Sequence, residues 1–141
     1  MTCMMTPPPK ALIKVPMPTG PPSSHPIRRK NEMVVEDAEH LRGGEGIVHM
    51  TKLINVPEEL CGKGRAYARN ILEPGCSIGY HMHETDSELY YILKGTAEYN
   101  NNGELVTVTE GDLTICEPGT GHGLANRGTE PVEFIALIVY A

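Results

Sequence analysis

Glycine and proline punctuate this chain so densely that no long helix can run through it. They supply 15 and 12 of its 141 residues. No stretch keeps a 3.6-residue apolar period for more than about two turns. Proline lacks the amide hydrogen that a helix interior or a central strand needs, and glycine weakens both. Between the breaks lie short strand-like runs: Ile47–Ile54, Arg65–Leu72, Glu88–Lys94, Ala97–Tyr99, Glu104–Val108, Asp112–Cys116 and Val132–Tyr140. Asn100 to Gly103 predicts a hairpin turn, because Asn and Gly tolerate positive φ. One helical turn is expected at Pro57-Glu58-Glu59-Leu60, and the apolar run Val132–Tyr140 reads as a strand covered on both faces. Strands spaced every ~8 to 12 residues with turn residues between them form sandwiches or barrels. The fold class is all-β.

The prolines are unevenly spread, and so is the charge. Pro7, Pro8, Pro9, Pro16, Pro18, Pro21, Pro22 and Pro26 crowd the start of the chain. Residues 1–30 carry five bases and no acid, whereas residues 31–141 carry seven bases against all 18 acids. Residues 1–26 therefore read as a disordered, proline-rich arm and residues 27–141 as a single domain. The arm fits an extension, a docking segment or, loosely, a presequence; no apolar core of a secretory signal is present in it. A net charge of −6, one Phe, six Tyr and no Trp exclude a general nucleic-acid binder. No apolar run approaches the ~18 to 20 residues of a membrane-spanning helix. Cys3, Cys61, Cys76 and Cys116 form no metal-finger spacing and read as reduced thiols, which points to the cytoplasm.

Three histidines and a glutamate carry the chemistry. His81 and His83 are two apart, so on a strand their imidazoles share one face. Glu88 opens the next strand after a polar loop, and His122 can bring a third imidazole from a later one. Three imidazole nitrogens and a carboxylate oxygen suit a divalent first-row metal. Four protein ligands on an ion that prefers six leave two adjacent positions for a small molecule. By strand parity Tyr90 and Ile92 face inward with Glu88, and Leu124 and Asn126 with His122.

In these residues the chain resembles the cupin superfamily. The first cupin motif, G(X)5HXH(X)4E(X)6G, is met in full by Gly75, His81, His83, Glu88 and Gly95. The second, G(X)5PXG(X)2H(X)3N, is met by Gly111, Gly119, His122 and Asn126, with Glu117 at the proline position and Pro118 one residue late. Fifteen residues, Thr96 to Glu110, separate the two motifs, as in compact single-domain cupins. The resemblance implies a double-stranded β-helix, or jelly-roll, barrel. It also implies that His81, His83, Glu88 and His122 bind one divalent metal ion, manganese first, with iron, zinc, nickel or cobalt as alternatives.

The stretches HLRGGEGIVHMTKLI and GKGRAYARNILEPGCSIGYHMH resemble small cupins described as oxalate-binding or oxalate decarboxylase-like. That likeness implies a metal-dependent enzyme acting on a small carboxylate or oxo-acid, a lyase of decarboxylase type. Isomerase or dioxygenase chemistry, or a non-catalytic module that binds or senses a small acid, are the alternatives. Tyr90, Arg65 and Arg69 are the candidate catalytic residues, the two arginines as cationic partners for the acid. Glu84 and Asp86 are the acids nearest the metal motif, and no segment after His122 is long enough for an acidic lid. A homodimer is expected, with residues around 33–56 pairing or exchanging across it.

Overall fold

The computed structural model describes residues 26–141. The disordered arm expected over residues 1–26 therefore lies, but for Pro26, outside the described residues, as does Cys3. Among these residues, ten strands form two antiparallel sheets. In chain order they are β1 (Val34–Glu39), β2 (Ile47–Lys52), β3 (Gly64–Leu72), β4 (Ser77–His83), β5 (Asp86–Lys94), β6 (Thr96–Asn101), β7 (Glu104–Thr109), β8 (Leu113–Cys116), β9 (Thr120–Ala125) and β10 (Val132–Tyr140). The larger sheet has the order β1-β2-β3-β10-β5-β8, and the smaller one β4-β9-β6-β7. They face each other as the two layers of the expected jelly roll.

Alternation along the strands decides what lies between the layers. On β3, Ala66, Ala68, Asn70 and Leu72 are buried while Tyr67 is exposed. Phe134, Ala136 and Ile138 of β10 and Tyr90 and Ile92 of β5 continue the inner face of the larger sheet, all fully buried. Ile78, Ala97, Tyr99, Val108 and Leu124 meet them from the smaller sheet. Each large apolar side chain so removed from water contributes about 1.5–3 kcal/mol.

Two expectations from sequence are refined here. The Asn-rich turn is tighter than its sequence suggests: β6 runs through Asn101, and only Asn102 and Gly103 turn, with φ of 51° and 100°. That pair of positive φ values matches the right-handed twist of the flanking strands. The run Val132–Tyr140 is a strand, but it is not covered on both faces. Its residues alternate between buried and half-buried up to the exposed Tyr140, because among the described residues no layer packs on the outside of the larger sheet. The short helical turn at Pro57–Leu60 is present as a 3-10 turn.

Candidate metal centre

His81 and His83 project from β4, His122 from β9 and Glu88 from β5 of the opposite sheet. Direct pairing of His81 with His122 brings two imidazoles together, and a register slip between Ile78 and His81 re-aims that end of β4. The strand is braced from outside by the turn over residues 41–45. A Cβ on Gly79 would run into the Arg42 carbonyl, and one on Gly44 into that of Ser77. Only glycine permits this backbone-on-backbone approach.

The four side chains converge on one point. Glu88 Oε1 lies 2.9 Å from His122 Nε2, 3.2 Å from His83 Nε2 and 3.7 Å from His81 Nε2. His83 Nε2 and His122 Nε2 are 3.2 Å apart. One ligand atom from each residue falls within 4.8 Å of all the others, and all four residues are buried. For donors ~2.1 Å from a metal ion, neighbouring positions of an octahedron stand about 3.0 Å apart, close to the shorter of these separations.

Hydrogen bonds on the far side of each ring orient the lone pairs. His81 Nδ1 meets the Gly79 carbonyl at 2.7 Å, His83 Nδ1 the Asp86 carboxylate at 2.7 Å, and His122 Nδ1 the Tyr99 hydroxyl at 2.9 Å. A carbonyl and a carboxylate only accept, so the first two rings carry their proton on Nδ1 and turn a bare Nε2 inward. With Tyr99 accepting from His122, the third ring does the same. The centre is then a ring of acceptors with no donor among them.

Such a set calls for a cation. His81 Nε2 and Glu88 Oε2 are buried and have no hydrogen-bond partner. Burial raises the pKa of Glu88, but hydrogen bonds from protonated His122, His81 and His83 outweigh it and hold the carboxyl far below its usual range; a metal ion in place of those protons would do the same. Burial lowers the His122 pKa below its ordinary value. For His83 burial acts the same way, yet the contacts with Glu88 and Asp86 raise its pKa overall. The residues present fit a divalent ion: an ionised carboxylate, inward lone pairs and two buried atoms without partners.

The other candidates are placed differently from one another. Tyr90 stacks its ring on His122, with centroids 4.7 Å apart at 16°, and meets Phe134 edge-on. Arg65 reaches the centre only at one remove, through Asp86 at 3.3 Å. Arg69 is not brought there: it lies on the outer face of β3, 43% exposed in its side chain, and pairs with Glu133. Glu84 is exposed, and Asp86 is buried against His83. Leu124 and Asn126 are buried, as expected, with Asn126 bonded to the Leu72 and Glu130 carbonyls. Sequence reasoning missed Tyr99, whose place beside His122 depends on the β6–β9 pairing. It also missed the link from Asp86 to His83, although a spacing of three residues across a turn could have suggested it.

The cupin domain model matches residues 69–140, half of the chain, and spans all four of these side chains. The chain belongs to the cupin family. This cupin is 38% identical over 113 residues to an oxalate-binding protein of Thermotoga maritima, covering 80% of the chain and 93% of the relative. A Thermotoga maritima crystal structure described as a predicted oxalate decarboxylase superposes with a TM-score of 0.77 at 36% identity, covering 82% of this chain and 99% of that one. The cupin domain of a transcriptional regulator from Enterobacter cloacae superposes with a TM-score of 0.58 at 25% identity, over 67% of this chain and 97% of that one. The cupin fold is thus matched by both enzyme-like and regulatory relatives.

Proposed function

We propose that this cupin binds one divalent metal ion through His81, His83, Glu88 and His122 and uses it to take a small carboxylate or oxo-acid, with oxalate as the first candidate. The observation that carries the reading is the convergence of four buried ligand atoms within 4.8 Å, two of whose residues keep a buried atom without a partner. The likeness to an oxalate-binding protein supports the ligand class. Manganese is the ion we propose: three imidazole nitrogens, an ionised carboxylate and two oxygens from the acid would give a mixed nitrogen and oxygen, six-coordinate sphere with no thiolate. Bound there, the ion would polarise an oxygen of the acid. The protein supplies the rest. Glu88 contributes the fixed negative charge, Tyr90, backed by Phe134, packs its ring against His122, and Tyr99 and Asp86 hold two of the rings.

Decarboxylation would make this an enzyme of the lyase class. A module that holds the acid without converting it is favoured by one observation. Of the two acids nearest the metal motif, Asp86 is engaged with His83 and Arg65, and Glu84 is exposed at the surface. The experiment is thermal unfolding of metal-loaded protein with oxalate or acetate, beside elemental analysis of wild type and a His83→Ala/His122→Ala double variant. Oxalate should raise the unfolding temperature as its concentration passes its Kd, with acetate much weaker, because mass action favours the folded state. No stabilisation by oxalate, or loss of the metal to it, would remove the ligand assignment. Full metal content in the double variant would remove the metal site. Release of formate or carbon dioxide separates the enzyme from the binding module.

A further inference from the structure

The three imidazoles of the centre are not equivalent. His81 has a backbone carbonyl behind it and His122 a neutral hydroxyl, whereas His83 has a carboxylate. That carboxylate is itself held. Asp86 Oδ1 accepts from His83 Nδ1 at 2.7 Å, and its Oδ2 lies 3.3 Å from Arg65 Nε. The chain of contacts runs outward from a fully buried ring, through a carboxylate side chain 3% exposed, to an arginine side chain 19% exposed.

Local backbone geometry makes the link. β3 and β5 flank β10, so Arg65 has to reach past β10 to meet Asp86. At that end of the sheet the β3–β10 register slips between Ile138 and Val139, and Gly64 packs bare backbone against the Ile138 carbonyl. A bulge of this kind sharpens the twist and re-aims neighbouring side chains. Asp86 stands opposite Tyr140, beside the same irregularity.

We infer that Asp86, braced by Arg65, is a positioning residue that fixes the orientation and tautomer of His83 and so sets the affinity of the centre for its ion. The inference rests on the metal-binding reading above. Its physical basis is general. A carboxylate on the outer nitrogen of a ligating imidazole holds the ring in place and makes the inner nitrogen a stronger donor. A buried carboxylate needs a cation to stay ionised, and Arg65 is the cation in contact with this one. The arginine that sequence reasoning offered to the acid is instead committed to the metal ligand.

The test uses cobalt(II), whose visible absorption reports its ligand field, with affinity measured by competition against a chelator. Asp86→Asn should weaken cobalt binding about 10- to 100-fold and alter the visible spectrum. Arg65→Met should weaken binding less, and Arg65→Lys should restore part of the loss. The Arg65→Met/Asp86→Asn double variant should bind no worse than Asp86→Asn alone, because Arg65 acts through Asp86. A purely structural pair would lower the unfolding temperature yet leave affinity and spectrum at wild-type values, and that result overturns the inference. Should Asp86→Asn fail to fold, wild-type affinity and spectrum in Arg65→Met overturn it equally. Cobalt retained by the His83→Ala/His122→Ala variant would instead overturn the metal reading, and this inference with it.

Discussion

A carboxylate shut away from water is costly unless donors or cations surround it, and Glu88 is fully buried. Its neighbours are imidazoles whose inner nitrogens are turned to it by contacts on their far sides, so each outer partner bears on the whole centre. Tyr99 is the clearest case. Burial raises its pKa above the usual range, which keeps it a neutral hydroxyl beside His122 Nδ1. Tyr99→Phe removes that partner and leaves a buried ring nitrogen unsatisfied. We expect the metal-free protein to lose about 1–3 kcal/mol in denaturant unfolding, with a shape otherwise kept. Metal affinity should fall at the same time, by about tenfold or more. A variant with wild-type midpoint and metal affinity would show that His122 needs no such partner.

Among the elements, β1 and β2 carry the other buried charges. Lys52 Nζ and Glu36 Oε2 stand 3.5 Å apart on the inner face, with side chains 10% and 7% exposed. Both strands pair within the one chain, Glu36 opposite Met50. Removing one partner strands a buried charge, so Glu36→Leu alone should cost about 3–5 kcal/mol, whereas Glu36→Leu/Lys52→Met should be neutral or stabilising. Chemical denaturation of the three proteins distinguishes these outcomes. The pair also has a pH signature. Burial lowers the Lys52 pKa from 10.5, and the attraction of Glu36 only partly offsets it. The unfolded chain therefore binds more protons here between the lowered pKa and 10.5, and this contribution to stability rises with pH across that window. The double variant should lack that rise.

For the whole molecule, the side of the larger sheet that no described residue covers is the feature that asks for a partner. Tyr91 stands opposite Leu113, and Leu89 opposite both Ile115 and Leu137, forming a continuous apolar row. Tyr91, Leu113 and Ile115 are 45%, 53% and 55% exposed. A contiguous patch of this kind usually marks an interface. We propose that the protein is a homodimer through this face. Light scattering should give twice the chain mass for wild type and the single mass for Leu113→Lys/Ile115→Lys, with metal content unchanged. A wild-type monomer at high micromolar concentration would refute the dimer.

The sequence by itself determined the all-β class, the order of most strands and the four residues that converge on the centre. Those features are local: strand parity, turn residues at Asn102 and Gly103, and the spacing of His81, His83 and Glu88 within one stretch of chain. Strands β1, β4 and β9 were less legible as strands, because glycines and charged residues break their alternation. What stands behind each imidazole was decided only in the tertiary structure. Tyr99 meets His122 because β6 pairs with β9, and Arg65 meets Asp86 because β10 lies between β3 and β5 and its register slips there. The contacts of the arginines followed from the same arrangement, since sequence parity could not tell that Arg65 would turn to Asp86 and Arg69 to Glu133. Parity fixes which side chains share a face. Only the packing of strands distant in sequence fixes which groups meet across it.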